Sequence, residues 1–93
     1  MELAFSSVHK VTSADIEKAC KAAGLQLTMK TSLKTLPDNE HWHFKKGKLK
    51  GVLEITLLPN DNRLVLGCKS NRGGDWIDSL IVQLSQALSL VKV

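Results

Sequence analysis

The stretch His41-Trp42-His43-Phe44-Lys45 alternates strictly between polar and large apolar side chains. On a β-strand, successive side chains point to opposite faces of the sheet. We therefore expect Trp42 and Phe44 to face the core. The other three side chains, His41, His43 and Lys45, are expected to face the solvent. This segment thus fixes the inner face of a predicted strand and leaves two imidazoles side by side on its outer face.

The composition predicts one small globular domain over residues 1–93. The chain is 43% hydrophobic and 24% charged, which is ordinary for a folded protein with a single core. Its net charge of +4 favours acidic partners. No apolar run approaches the roughly 18 residues of a membrane span, and the N-terminal segment lacks the features of a secretory signal. The two cysteines allow one disulfide but favour a reduced pair, which predicts a cytoplasmic protein.

A first helix is predicted from Thr12 to Gly24. Thr12 and Asp15 have the spacing of a capping box in which Asp replaces the usual Glu. Ile16 and Cys20 then lie on one stripe at helical spacing, and Gly24 supplies the left-handed residue that ends the helix.

Four segments with alternating apolar residues follow the first helix and predict four strands. In the first of them, Leu27 and Met29 are expected to face inward. The short connections between the segments contain turn-forming residues, so the strands are predicted to form an antiparallel meander. The segments are Leu25–Lys34, His41–Lys45, Val52–Leu58 and Arg63–Lys69.

A second helix is predicted to begin with Asp75 as its cap and to keep an apolar stripe as far as Val91. Leu3–Val8 is an optional strand before the first helix, because its alternation is short. The expected fold class is α+β: a two-layer sandwich in which two helices cover one face of an antiparallel four- to five-stranded meander sheet. The element order is (β)-α-β-β-β-β-α.

Matching the inner faces of two neighbouring strands also predicts their register. If Phe44 pairs with Leu53, then His43 pairs with Glu54. A carboxylate then lies within contact range of an imidazole on the outer face.

Three interpretations compete for His41, His43 and Glu54. Neutral imidazoles and a carboxylate are ligands for Zn²⁺ and related ions, so the three predict an alternative function as a metal site. A histidine and a carboxylate also suit acid–base chemistry, but no nucleophile or third group completes such a site. An ordinary polar pair on a wet sheet face is the simplest interpretation and is favoured by the sequence alone. We therefore predict no catalytic residue, no enzyme activity and no cofactor.

The leading functional interpretation is a small basic binding or adaptor domain that contacts nucleic acid or an acidic protein through its open sheet face. There is no acidic residue from His41 to Gly51, although lysines in such a hairpin can simply confer solubility and prevent edge pairing. The predicted contact residues are Lys30, Lys34, His41, His43, Lys45, Lys48, Arg63, Lys69 and Arg72.

The apolar end of the second predicted helix suggests self-association. Leu88, Leu90, Val91 and Val93 are too many apolar side chains for one helical stripe to bury. A homodimer through this helix or through a sheet edge is therefore predicted, and a purely structural role as an oligomer subunit is a further alternative.

Overall fold

The computed structural model describes residues 1–32, 39–69 and 74–93. They form an α+β fold in which a six-stranded antiparallel sheet packs against two helices. Along the chain the elements are β1 (Glu2–Ser7), α1 (Ser13–Ala22), β2 (Gln26–Ser32), β3 (Glu40–Lys45), β4 (Leu53–Leu58), β5 (Arg63–Gly67), α2 (Asp75–Ala87) and β6 (Leu90–Lys92). Within the sheet the strands lie in the order β2-β3-β4-β5-β1-β6.

The core lies between one face of the sheet and both helices. Alternate residues of β3, β4 and β5 are buried, which is the pattern of strands with one face covered. Trp42 is fully buried in the same apolar cluster as Ile16 of α1 and Leu80 of α2. The predicted two-layer sandwich and the inward direction of Trp42 and Phe44 are confirmed.

Helix α1 begins as its sequence predicts. The backbone N–H of Asp15 donates to Thr12 Oγ1, and the backbone N–H of Thr12 donates to the Asp15 carboxylate. Hydrogen bonds from the backbone N–H and the side chain of Thr12 to the carboxylate hold the pKa of Asp15 below its ordinary value. Ile16 and Cys20 are the fully buried residues of the helix.

The sheet has six strands, not the predicted four to five, because β1 and β6 both join the central meander, and β6 lies where a helix was predicted. Strand β1 pairs with β5, so the optional N-terminal strand is present. The prediction that helical structure continues to Val91 is wrong, because α2 ends at Ala87 and Ser89 takes a left-handed φ of 54°. The chain then pairs with β1 as β6, where it satisfies backbone groups that β1 would otherwise expose.

The apolar C-terminal residues divide between the core and the solvent. Leu88 and Leu90 pack against the core, whereas Val91 and Val93 are exposed. The homodimer stays a prediction, with these valines and the exposed edge strand β2 as its possible contacts.

Strand β2 departs from its predicted alternation. Its register against β3 shifts between Leu27, which pairs with Phe44, and Met29, which pairs with His43. A bulge of this kind inserts one residue into one strand and reverses the side-chain parity beyond it. Met29 therefore lies on the open face, and the prediction that it points inward is wrong. Leu27 keeps the inner parity but is 47% exposed, because β2 is an edge strand that the helices barely cover.

The start of α2 also differs from expectation. Gly74 occupies the N-cap position without a side-chain capping bond, and Asp75 is the first helical residue rather than the cap. A Cβ at Gly74 would lie 2.0 Å from the Lys50 carbonyl oxygen, so the close approach of two backbones requires glycine here.

The two cysteines are free thiols. Burial raises the pKa of Cys20 to about 12, so this thiol is chemically inert at neutral pH. Among the described residues, neither helix has the length and apolar character needed to cross a bilayer.

Gly67, at the end of β5, is packed against the start of the chain. A Cβ at this position would lie 2.1 Å from the Met1 carbonyl oxygen and 2.8 Å from the Glu2 Cα. The same approach lets the Cys68 N–H donate to the Met1 carbonyl at 2.8 Å and the Met1 amino group donate to the Cys68 carbonyl at 2.8 Å.

We predict that Gly67→Ala destabilises the protein by about 2 kcal/mol, because β1 must move away from β5 and lose these hydrogen bonds. Thermal unfolding followed by circular dichroism should show a fall in Tm of on the order of 10 °C. Gly47→Asn is the control, since nothing lies within 4 Å of a Cβ there and Asn tolerates its φ of 55°. Equal stability of the Gly67→Ala variant and the native chain would contradict the prediction.

Candidate metal centre

Strands β3 and β4 bring three metal-ligating side chains together on the face of the sheet opposite the helices. His43 pairs with Glu54, and His41 pairs with Thr56, which confirms the predicted register. Directly paired residues of antiparallel strands share a face, so both imidazoles and the carboxylate lie on the open face.

The three ligand atoms form a small triangle. His41 Nε2 lies 3.1 Å from His43 Nε2. Glu54 Oε1 lies 3.3 Å from His41 Nε2 and 3.4 Å from His43 Nε2. The two imidazole rings meet edge to face, with an interplanar angle of 75°. Thus one ligand atom from each of the three groups lies within 3.4 Å of the other two.

Thr56 orients the His41 ring from the next strand. Its Oγ1 lies 2.7 Å from His41 Nδ1. When Nδ1 carries the proton, its N–H donates a hydrogen bond to the threonine hydroxyl. The lone pair of the ring is then on Nε2 and points at the other two groups. Histidines that bind metals commonly donate their other ring N–H to such a partner.

The cluster is more enclosed than the sequence predicts for an open face. The side chains of His41, His43 and Glu54 are 20%, 16% and 15% exposed, so they pack on one another and do not extend into solvent. Glu54 Oε2 is buried and makes no hydrogen bond within the described part of the chain. A buried carboxylate oxygen without a partner is costly, and a cation on the same carboxylate lowers that cost.

The triangle has the dimensions of a zinc coordination shell. Zn–N distances of about 2.0–2.1 Å at tetrahedral angles place neighbouring ligand atoms about 3.3–3.4 Å apart. Two of the distances found here, 3.3 and 3.4 Å, match that edge length, and the third, 3.1 Å, is slightly shorter. An ion above the triangle would therefore find three ligands already in place and keep a further position free.

A small hollow lies beside the cluster. It has a volume of about 20 Å³ and is bordered by His41, Glu54 and Thr56 on one side and by Glu2 and Gly67 on the other. A space of this size holds about one water molecule. The close packing of Gly67 against β1 keeps this side of the site narrow.

Lys30 does not lie on this face, contrary to the prediction. The bulge in β2 pairs it with Trp42, on the side of the helices. There its Nζ lies 2.6 Å from Glu17 and 3.4 Å from Glu40, and 5.7 Å from the centroid of the Trp42 ring. The hydrogen bond to Lys30 holds the pKa of Glu17 below its ordinary value and raises that of Lys30.

The remaining predicted contact residues are spread over the sheet. Lys45 shares the face of His41 and His43 by its parity on β3, and Lys48 is exposed in the turn that follows. Arg63 lies at the far end of the face, where β5 pairs with the last residue of β4. Lys69 is exposed just beyond the end of β5. Lys34 and Arg72 lie outside the described residues.

Three residues around the cluster were not predicted from the sequence. Met29 borders His43 only because of the bulge in β2, which a regular alternation conceals. Glu2 and Gly67 border the hollow because β1 pairs with β5. The glycine at the end of an alternating segment is the one sequence signal that indicates such a close backbone approach.

Comparison with known proteins gives no further guide to the site: the chain matches no protein-family model, and no curated protein or solved structure was found to be similar to it.

Proposed function

We propose that the protein binds one divalent transition-metal ion, with Zn²⁺ as the preferred ion, through His41 Nε2, His43 Nε2 and Glu54 Oε1. The observation that carries the proposal is the triangle of 3.1, 3.3 and 3.4 Å between these atoms, which is close to the edge of about 3.3–3.4 Å in a tetrahedral zinc shell. The three groups come from adjacent strands with fixed register, so the geometry does not depend on a loop.

The ligand types support zinc over Mg²⁺ or Ca²⁺. Imidazole nitrogens suit Zn²⁺ and its neighbours in the first transition row, whereas Mg²⁺ and Ca²⁺ prefer oxygen ligands. Two histidines and one glutamate form a set that leaves a coordination position for water or another ligand, as in zinc sites that act on bound molecules. Thr56 adds the outer hydrogen bond that fixes the His41 ring.

A metal-free hydrogen-bond network is the competing explanation of the same distances. In such a network the N–H at His43 Nε2 donates to both His41 Nε2 and the Glu54 carboxylate. The cluster is then an ordinary polar group on the sheet. This explanation leaves Glu54 Oε2 without a hydrogen-bond partner among the described residues, whereas a bound cation compensates the carboxylate. The two explanations differ in whether added zinc binds and stabilises the fold.

We predict that the tag-free protein binds Zn²⁺ in a one-to-one ratio by isothermal titration calorimetry. Because the ion binds the folded chain, zinc at about 100 times its Kd should stabilise the fold by about 2.7 kcal/mol. In differential scanning calorimetry this corresponds to a rise in Tm of on the order of 10–20 °C.

The variants His41→Ala and His43→Ala should each remove this binding, because a two-ligand fragment holds zinc poorly. His9→Ala is the matched control, since His9 is exposed in the connection between β1 and α1 and lies outside the cluster. Zinc binding that persists in both cluster variants, or that disappears in His9→Ala, would falsify the assignment.

We predict that Thr56→Val lowers the zinc affinity about 10- to 100-fold while leaving the fold intact. The substitution preserves shape but removes the hydrogen bond at His41 Nδ1, and outer hydrogen bonds of metal ligands commonly have effects of this size. Thr31→Val provides the control, because Thr31 pairs with His41 from β2 without a hydrogen bond to its ring. The idea fails if the two variants bind zinc equally tightly in the same calorimetric assay.

As a second candidate function, we propose contact with nucleic acid at the end of the sheet that carries the connection between β3 and β4. Lys46, Lys48 and Lys50 lie in this connection, Lys45 precedes it, and no acidic residue occurs from His41 to Gly51. Clustered lysines neutralise phosphates and release bound counterions on association.

Two free thiols agree with the cytoplasmic location predicted from the sequence.

For duplex DNA we predict that log affinity falls linearly with log salt, with a slope of about −0.9 for each phosphate neutralised. Fluorescence anisotropy between about 50 and 200 mM NaCl measures this slope. Replacing Lys46, Lys48 and Lys50 together by Gln should flatten it, whereas the same exchange at Lys10, Lys18 and Lys21 should not. A slope that both triple variants share with the native chain would exclude this surface.

A further inference from the structure

An ion held by the three proposed ligands keeps a fourth coordination position on the open face of the sheet, here called the opening, and Lys45 lies on the same face. Lys45 follows His43 by two residues on β3 and points to the same face. Two residues of a strand span about 7 Å, a distance that an extended lysine side chain can cover. The Lys45 ammonium group can therefore approach a molecule bound to the metal.

The charges of the opening define the kind of ligand that it suits. A divalent ion with one carboxylate and two neutral imidazoles has a net charge of about +1, and Lys45 raises the local charge to about +2. A phosphate monoester carries about −1.5 to −2 at neutral pH and offers three oxygen acceptors. One phosphate oxygen can take the free coordination position while another accepts a hydrogen bond from Lys45.

Among the described residues, Glu2 is a further carboxylate beside the cluster, since it borders the same small hollow as His41 and Glu54. Glu2 lies on β1 and pairs with Gly67, which in turn pairs with Glu54. Its backbone lies two strand spacings, or about 10 Å, from that of Glu54. Glu2 therefore approaches the cluster from β1, whereas Lys45 lies on β3, on the other side of Glu54. An anion bound on the Lys45 side of the ion is thus closer to Lys45 than to Glu2.

We infer that the metal centre binds dianionic phosphate monoesters, with Lys45 as the second contact to the phosphoryl group. This inference rests on the proposed metal binding and adds the class of ligand. The open face carries both features that such a ligand needs. These are the proposed metal ligands and the cation Lys45, which lies on the same strand as His41 and His43.

The test uses the full-length protein loaded with Co²⁺, whose visible absorption reports changes in its coordination. Phenyl phosphate and benzoate serve as probes, since they share an aromatic ring but differ in charge. Phenyl phosphate should shift the spectrum in a saturable way, and benzoate should require a concentration about tenfold higher for the same fractional change.

The variant Lys45→Ala should retain Co²⁺ and weaken the binding of phenyl phosphate about five- to tenfold. Lys18→Ala removes the same charge from the exposed surface of α1 and should have no effect. If Co²⁺ does not bind at all, both proposals fail. Three results would overturn only the phosphate inference while Co²⁺ still binds. Phenyl phosphate could leave the Co²⁺ spectrum unchanged, or it could bind no better than benzoate. It could also bind the Lys45→Ala variant as tightly as the native chain.

Discussion

The pleat of strand β3 is the constraint on which the rest of the structure depends. Because neighbouring side chains alternate between faces, Trp42 can fill the core only if His41 and His43 lie on the opposite side. The pairing with β4 then carries this parity across the sheet and places Glu54 beside both imidazoles. The chemistry of the open face is therefore a geometric consequence of how the core is filled.

Strand β2 shows what happens when this alternation is interrupted. One bulge between Leu27 and Met29 moves a methionine to the open face and a lysine to the side of the helices. The result is accommodated because Glu17 of α1 accepts hydrogen bonds from both Lys30 and the Trp42 indole. These contacts connect the edge strand, the helix and the buried indole, and they help to hold in position the strand that carries His41 and His43.

The sequence predicts well those parts of the fold that local patterns determine. The capping box of α1, the meander from β2 to β5 and the pairing of His43 with Glu54 all follow from residue spacing. Two of the features that were missed depend on distant partners: β6 forms because β1 offers it an edge, and Gly67 matters because the N-terminal residues pack on it. The pairing of β6 with β1 cannot be recognised from the sequence of β6 alone, and the packing of the N-terminal residues on Gly67 cannot be recognised from the sequence of β5 alone.

The enclosure of the cluster argues that its arrangement is suited to an ion. On an open sheet face, histidine and glutamate side chains gain most by extending into water, where their polar atoms are solvated. Here they turn toward one another, and one carboxylate oxygen is buried without a hydrogen bond to any residue that the structure describes. Such an arrangement is costly without a cation, but it is already organised for one. Since the ligand atoms need to move little, a metal ion would bind without the usual loss of side-chain freedom.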